Sequence, residues 1–389
     1  MTTFTDPLPA DPSSPLADRS LRARILTDLQ TQGVRLATES GVPARQGGAG
    51  PTDHKALSLL GETIMVPLYH PATEHSPYRV GPPNGLGEAM LFRGDQRITT
   101  VTFPREPFFY QLKTVEGIPY RKIATLHSQD VLATTVLQQC VRYSNRKTRC
   151  QFCAIGESLR AGQTIARKTP EQLAEVALAA QMYDGVQHLV MTTGTPPEAD
   201  RGAGVLADCA AAVKESTGMP LQAQCEPPDD FQWFDRLRAA GVDSLGMHLE
   251  AWQPEVRERI MPGKAEVSLD FYREAFAAAV PVFGRGQVST YLLAGLGDSA
   301  GTLLRAAEEL ISLGVYPFIV PFVPVTGTPL ARHPAPSTEF LRSVLEPVGR
   351  LLRDAGMTAD TVKAGCARCG ACSSLASFEK SGPAKPRAA

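Results

Sequence analysis

From about residue 170 onward the chain alternates between two hydrophobic rhythms. The short apolar runs "QHLVMTTG", "PLQAQCE", "SLGMHLE", "GQVSTYLLAGLG" and "VYPFIVPFVPV" read as buried strands. Between and after them, "TPEQLAEVALAAQMYDG", "GVLADCAAAVKESTG", "DDFQWFDRLRAAG", "SLDFYREAFAAAVPVFG", "SAGTLLRAAEELISLG" and "STEFLRSVLEPVGRLLRDAG" read as helices. Thr169 suits an N-cap with Pro170 in the first turn, and Gly218 suits a helix end. A strand and a helix recur roughly every 30 residues, the length of a βα unit, and such units build parallel sheets. "VLATTVLQQC" supplies one earlier strand, giving about six units between residues 130 and 355. Six fall short of a full eight-unit barrel, so the expected fold is α/β, a partial (β/α)6 TIM-type barrel.

Residues 20–120 follow another pattern. "SLRARILTDLQTQG" has Leu21, Ile25 and Leu29 on one helical face. "ETIMVPLY", "EAMLFRGDQRITTVTF" and "FFYQLKTV" read as strands, with Gly94-Asp95 as a hairpin turn. The expected organisation is a disordered leader at 1–19, a small α+β extension at 20–125, the barrel at 126–358 and a Cys-rich segment with a polar tail at 359–389. The proline-rich start "MTTFTDPLPADPSSPLADRS" lacks the pattern of an export signal, so a cytoplasmic location and reduced cysteines are expected. The extension and the loop Gly47–Gly50 are candidates for a lid.

Composition narrows the function. The 389 residues carry a formal net charge of −1, so no global field draws nucleic acid or an anionic membrane. No apolar run reaches the roughly 20 residues that span a bilayer. Eight cysteines are the unusual feature. Cys140, Cys150 and Cys153 lie within "CVRYSNRKTRCQFC", with Cys140 at the carboxyl end of an expected strand, where α/β barrels place their chemistry. Thiolates select zinc, Cu(I) or iron–sulfur clusters. Structural zinc wants four ligands, and this loop shows no fourth; His127 lies upstream of the strand. Three thiolates suit a 4Fe–4S cluster with one iron left open, since the usual cluster takes four. Ordinary core cysteines and zinc remain alternatives.

"CQFC", with Phe152 before the last cysteine at the mouth of a partial barrel, resembles the radical S-adenosylmethionine (SAM) superfamily. Its usual spacing is C-x3-C-x2-C; here the first gap is nine residues. The tRNA-modifying enzymes of the Elongator type share a long gap. The stretch "TTVLQQCVRYSNRKTRCQFCAIG" is similar to the signature of a radical SAM family encoded beside a nitrilase in bacterial gene clusters. The resemblance implies a 4Fe–4S cluster, SAM, a reductant such as flavodoxin or ferredoxin, and hydrogen abstraction from a small-molecule substrate, with nitrogen or nitrile metabolism as a hint. It also implies site residues. "MHLEAWQPEVRERIMPG" resembles a lipoyl synthase segment, which puts His248 and Glu250 near the SAM ribose and Arg257 or Arg259 on its carboxylate. Thr193 and Gly194 take the place that many members give to a Gly-Gly-Glu holding the SAM amino group. "VPFVPVTGTPLA" resembles a biotin synthase strand and loop near the adenine, and Gly295 and Gly297 are weaker candidates there.

Gln222, Gln224 and Glu226 alternate along one strand and so share a face; Gln224 and Glu226 are candidate cofactor ligands. Cys366, Cys369 and Cys372 form a C-x2-C-x2-C run that suits an auxiliary iron–sulfur cluster, or zinc with Cys225 or a histidine as fourth ligand. Cys209 reads as core. Two other readings stand beside the small-molecule enzyme. One is a radical SAM tRNA-modifying enzyme, for which Arg142, Arg146, Lys147 and Arg149 supply a basic loop. The other is a non-catalytic zinc-binding protein.

Overall fold

The chain folds around two sheets, and the computed structural model describes residues 15–36, 54–68 and 71–381. The first sheet has six strands: β1 (Arg35–Leu36), β2 (His54–Leu59), β3 (Glu62–Pro67), β4 (Tyr78–Val80), β5 (Glu88–Arg93) and β6 (Gln96–Thr102), in the order β1-β4-β5-β6-β2-β3. Gly94-Asp95 forms the expected tight turn between β5 and β6. Helix α1 (Arg19–Gln32) packs on this sheet through Leu26 and Leu29. The residues given to a leader divide: 1–14 lie outside the described residues, while Pro15–Ala17 form a 3-10 turn and Leu16 is buried in this core.

The second sheet is the partial barrel. It holds β7 (Thr125–His127), β8 (Val131–Thr135), β9 (His188–Thr192), β10 (Leu221–Gln224), β11 (Ser244–Gly246), β12 (Val288–Ala294) and β13 (Val315–Pro321) in sequence order. β8 to β13 run parallel, β7 is an antiparallel edge, and β13 and β7 end the sheet without pairing. Every residue of β10 and β11 is buried, as expected of strands covered on both faces. The connecting helices are α2 (Ile155–Arg160), α3 (Pro170–Asp184), α4 (Ala203–Thr217), α5 (Gln232–Ala239), α6 (Pro254–Ile260), α7 (Pro262–Ala265), α8 (Leu269–Phe283), α9 (Ala300–Leu313) and α10 (Thr338–Asp354). Thr169 and Gln172 cap α3 reciprocally, satisfying two of the amide donors that a helix start leaves open.

Two expectations fail for identifiable reasons. "FFYQLKTV" is not a strand: Phe108–Gln111 is a 3-10 turn, because the Asp184 carboxylate accepts the backbone N–H groups of Phe108 (2.7 Å) and Phe109 (3.0 Å). Residues 374–381 are not a polar tail, and 382–389 lie outside the described residues. Helix α11 (Cys366–Cys369) is followed by α12 (Leu375–Lys380), whose Leu375 and Phe378 are buried in the barrel core. Tyr316 also donates a hydrogen bond to the Glu379 carboxylate there.

The C-terminal segment passes beneath the barrel. Gln287, before β12, ties it at Thr361 and Lys363. The Gly365 N–H donates to His188 Nδ1 at the start of β9 (3.2 Å), and the Cys366 N–H to Gln222 Oε1 (3.0 Å). From the other side, Met65 of β3 donates its N–H to the Ala371 carbonyl (2.7 Å). Helix α1 adds Gln30 Nε2 to the Cys372 carbonyl (2.7 Å). Among the described residues, the N-terminal unit therefore backs the amino-terminal end of the barrel; Gly47–Gly50, the other lid candidate, lies outside them.

Candidate functional site

Parallel strands deliver their following loops to one end of a barrel, so distant side chains meet there. Here they enclose a cavity of about 490 Å3. Cys140, Cys150 and Cys153 line it, together with Phe152, Thr193, Gly194, Gln224, Glu226, His248 and Glu250. Arg257 and Arg259 are not among its walls. The Arg257 guanidinium is buried and donates to the carbonyls of Leu249 (2.9 Å), Lys264 (3.3 Å) and Val267 (2.9 Å). Arg259 donates to the Leu296 carbonyl (3.1 Å), and Gly297 lies against its guanidinium. Both arginines fix loops at the mouth, and the ligand role expected of them finds no geometric support.

The cysteine loop is held from several sides. The Cys153 N–H donates to the Cys150 carbonyl (3.1 Å), closing a tight turn. Gln151 donates its N–H to Ile260 (2.8 Å) and accepts one from Leu330 (3.2 Å). Arg149 stacks 4.1 Å over the Tyr143 ring and donates to the Cys153 carbonyl (3.2 Å). Gly194 braces the approach to Cys140: its N–H donates to the Leu137 carbonyl (2.9 Å), and a Cβ there would stand 2.1 Å from the Gln139 carbonyl oxygen.

Burial pushes the Cys150 thiol up to about 12 and the Cys153 thiol up to about 11. Lys264 partly offsets this at Cys150, as the Ile155 N–H does at Cys153. Free thiols here stay protonated at neutral pH, and a metal is the agent that makes buried thiolates.

Around the thiols stand two buried ion pairs. Lys264 Nζ meets Glu250 Oε1 at 3.1 Å. Arg142 pairs with Glu226, which also accepts from Thr195 Oγ1 (2.9 Å). Glu226 Oε2 has no hydrogen-bond partner in the protein. Glu250 adopts φ 67°, a left-handed conformation that costs an ordinary residue on the order of 1–3 kcal/mol and gathers at functional sites. Its backbone bonds to Tyr291 and Leu293 of β12 hold it there.

His248 stacks on Tyr291 with ring centroids 4.1 Å apart. Its Nδ1 accepts the Tyr291 N–H (3.2 Å), which leaves the proton on Nε2. Burial lowers its pKa to about 4, so the ring is neutral at pH 7. Nε2 is buried without a protein partner, on a residue that lines the cavity. The cavity thus presents an unsatisfied acceptor in Glu226 Oε2 and an unsatisfied donor in His248 Nε2.

The second cysteine trio enters the same cavity from below: Cys366, Cys369 and Cys372 all line it. Gln222 and Gln224 face inward beside them, as strand alternation suggested, and Gln224 Nε2 donates to Cys366 Sγ (3.2 Å). Sequence reasoning missed Lys264, Tyr291, His54 and His127 as walls of this cavity; each lies outside the cysteine motifs. Cys209 is core, as expected, and Cys225 lines the cavity. Of the basic loop, Arg142 and Arg149 are engaged as described, while Arg146 and Lys147 are exposed. Among the described residues, no three Cys, His, Asp or Glu side chains converge closely enough to hold one metal ion. No described helix is long and apolar enough to cross a membrane.

Comparison with known proteins finds the following likenesses. Residues 146–310 match the family model of the Radical SAM superfamily. A stretch of 133 residues is 35% identical to bacteriochlorophyllide c C-7(1)-hydroxylase of Chlorobaculum limnaeum, covering 34% of this chain and 33% of that one. The chain thus spans about a third of that relative's length. The crystal structure of methylornithine synthase aligns at TM-score 0.43 and 18% identity, over 63% of this chain and 71% of its own. A radical SAM methyltransferase from Sphaerobacter thermophilus aligns at TM-score 0.43 and 16% identity, over 74% and 76%.

Proposed function

We propose, from the radical SAM superfamily domain that this chain carries, that the protein is an enzyme acting on a small molecule held between the two cysteine trios. The superfamily implies a 4Fe–4S cluster and SAM, and the residues fit both. Three thiols share one braced loop, and a cavity of about 490 Å3 adjoins them, in the range that takes a drug-sized ligand. The single observation that carries the reading is this convergence of Cys140, Cys150 and Cys153 with the unsatisfied atoms Glu226 Oε2 and His248 Nε2 on one cavity.

Bound together, the cluster and SAM would supply a 5′-deoxyadenosyl radical for hydrogen abstraction. The protein's own groups then have separate tasks. Cys140, Cys150 and Cys153 would hold the cluster. His248 offers a neutral N–H donor to a ribose hydroxyl, and the Glu226 carboxylate accepts from an ammonium or hydroxyl. Lys264, beside Cys150, balances the negative charge of the thiolates. Phe152, Phe322 and Val325 give the cavity apolar walls, which exclude water from a reactive carbon. Exposed Arg146 and Lys147 suit the docking of an acidic reductant such as flavodoxin or ferredoxin. At the floor, Cys366, Cys369 and Cys372 would hold an auxiliary centre.

The resemblance to the nitrilase-cluster family makes nitrogen or nitrile metabolism the setting to test first. The RNA-modifying alternative draws on a basic loop of which two members are already engaged inside the protein; salt-dependent binding of tRNA would favour it. Anaerobic reconstitution tests the main reading. Iron, an EPR signal altered by SAM, and 5′-deoxyadenosine release are expected, and Cys150→Ala should abolish the release. Unchanged release in that variant would refute the assignment.

A further inference from the structure

The strand edge β7 ends on His127, and its Nε2 lies 3.4 Å from Cys372 Sγ, although 245 positions separate them in sequence. Both line the cavity, as do Cys366 and Cys369. We infer that His127 is the fourth ligand of a two-iron iron–sulfur centre, with His127 and Cys372 on one iron and Cys366 and Cys369 on the other. This deepens the auxiliary centre of the proposed function, and its test does not depend on SAM cleavage.

The local fold prepares such a site. Cys366 and Cys369 stand one helical turn apart on α11, and the left-handed Gly370 (φ 68°) turns the chain so that Cys372 returns to the same cavity. Gly365 (φ 100°) lets the segment press against the barrel interior: a Cβ there would stand 2.1 Å from the Gln222 side chain. The segment is anchored on both sides, by Gln222 and His188 from the barrel and by Met65 and Gln30 from the N-terminal unit. Ligands held this way need little rearrangement to bind metal.

The sulfurs already have the partners that cluster ligands take. Cys366 Sγ receives Gln224 Nε2 and the Tyr291 hydroxyl, and Cys369 receives the Ala371 N–H and the Ser128 hydroxyl. Hydrogen bonds to ligand sulfurs set the potential of a cluster. One sulfur and one imidazole nitrogen meet at a distance suited to a shared metal, and Cys366 and Cys369 supply the second pair of ligands that a two-iron centre takes.

The test begins with the full chain carrying Cys140→Ala, Cys150→Ala and Cys153→Ala, which isolates the floor. Anaerobic reconstitution should leave about two irons and two sulfides per chain. Reduced protein grown with 15N-histidine should show a strongly coupled histidine nitrogen by electron–nuclear double resonance. Introducing His127→Cys in that background should keep the iron and lower the reduction potential, since imidazole ligation raises it. His127→Ala should remove the nitrogen coupling and at least half of the iron. Zinc in place of iron, a four-iron cluster, absent nitrogen coupling, or coupling that survives His127→Ala would each overturn the inference.

Discussion

Replacing Lys264 with methionine isolates the electrostatics of the site's mouth. The side chains of Lys264 and Glu250 are 11% and 12% exposed, and their charged atoms are 3.1 Å apart. Burial pulls the Lys264 ammonium down, but the surrounding negative groups, with Glu250 foremost, more than restore it, so its pKa is raised. Lys264→Met keeps the volume and leaves Glu250 buried without its cation. Breaking a buried pair costs about 3–5 kcal/mol, a large part of the roughly 5–15 kcal/mol that stabilises a domain. Adding Glu250→Gln removes the stranded charge, and the double variant should recover about half of the loss. Urea unfolding of anaerobic, metal-free protein at pH 7 measures all three variants. The sign with pH follows. For the parent, a raised Lys264 pKa means stability present below pH of about 10 and lost at higher pH. A Lys264→Met variant within 0.5 kcal/mol of the parent, on the order of an ordinary surface change, would refute the reasoning.

Two further outcomes test other parts of the structure. Gly194→Ala places a methyl 2.1 Å from the Gln139 carbonyl oxygen, so the loop entering Cys140 must shift; iron retained after gel filtration should fall at least threefold while the far-UV circular dichroism is kept. Burial raises the Glu379 carboxyl from 4.5 to about 7, so its stabilising protonated form is present below pH 4.5 and lost as pH rises through 7. Parent stability should fall in that window by up to about 1.4 kcal/mol per pH unit, and Glu379→Gln should flatten the slope in thermal melts.

The barrel was legible because each of its units repeats a local code. Apolar runs alternate with capped helices, and Thr169, Pro170 and Gly185 mark one helix without help from the rest of the chain. The thiols were legible by spacing, and Gln222 and Gln224 by strand parity. What stayed hidden depends on contacts between distant segments. Phe108 and Phe109 favour a strand by propensity, yet a carboxylate 76 and 75 positions away takes their amides. Arg257 lies within the segment that resembles lipoyl synthase, but nothing local shows that three carbonyls occupy it. His127 was set aside because it lies upstream of the first cysteine trio; its partner is in the other trio, which only the return of the chain beneath the barrel reveals.

That return has a consequence for the barrel's closure. Residues 359–380 are translated after every barrel strand, and they alone bring the three lower thiols beneath the lumen. Without that segment the barrel would stand open at its base, with His188 and Gln222 deprived of the amides of Gly365 and Cys366. The hydroxyl contact between Thr27 and Ser374 latches the closing piece to the first helix, so the two ends of the chain together make the wall.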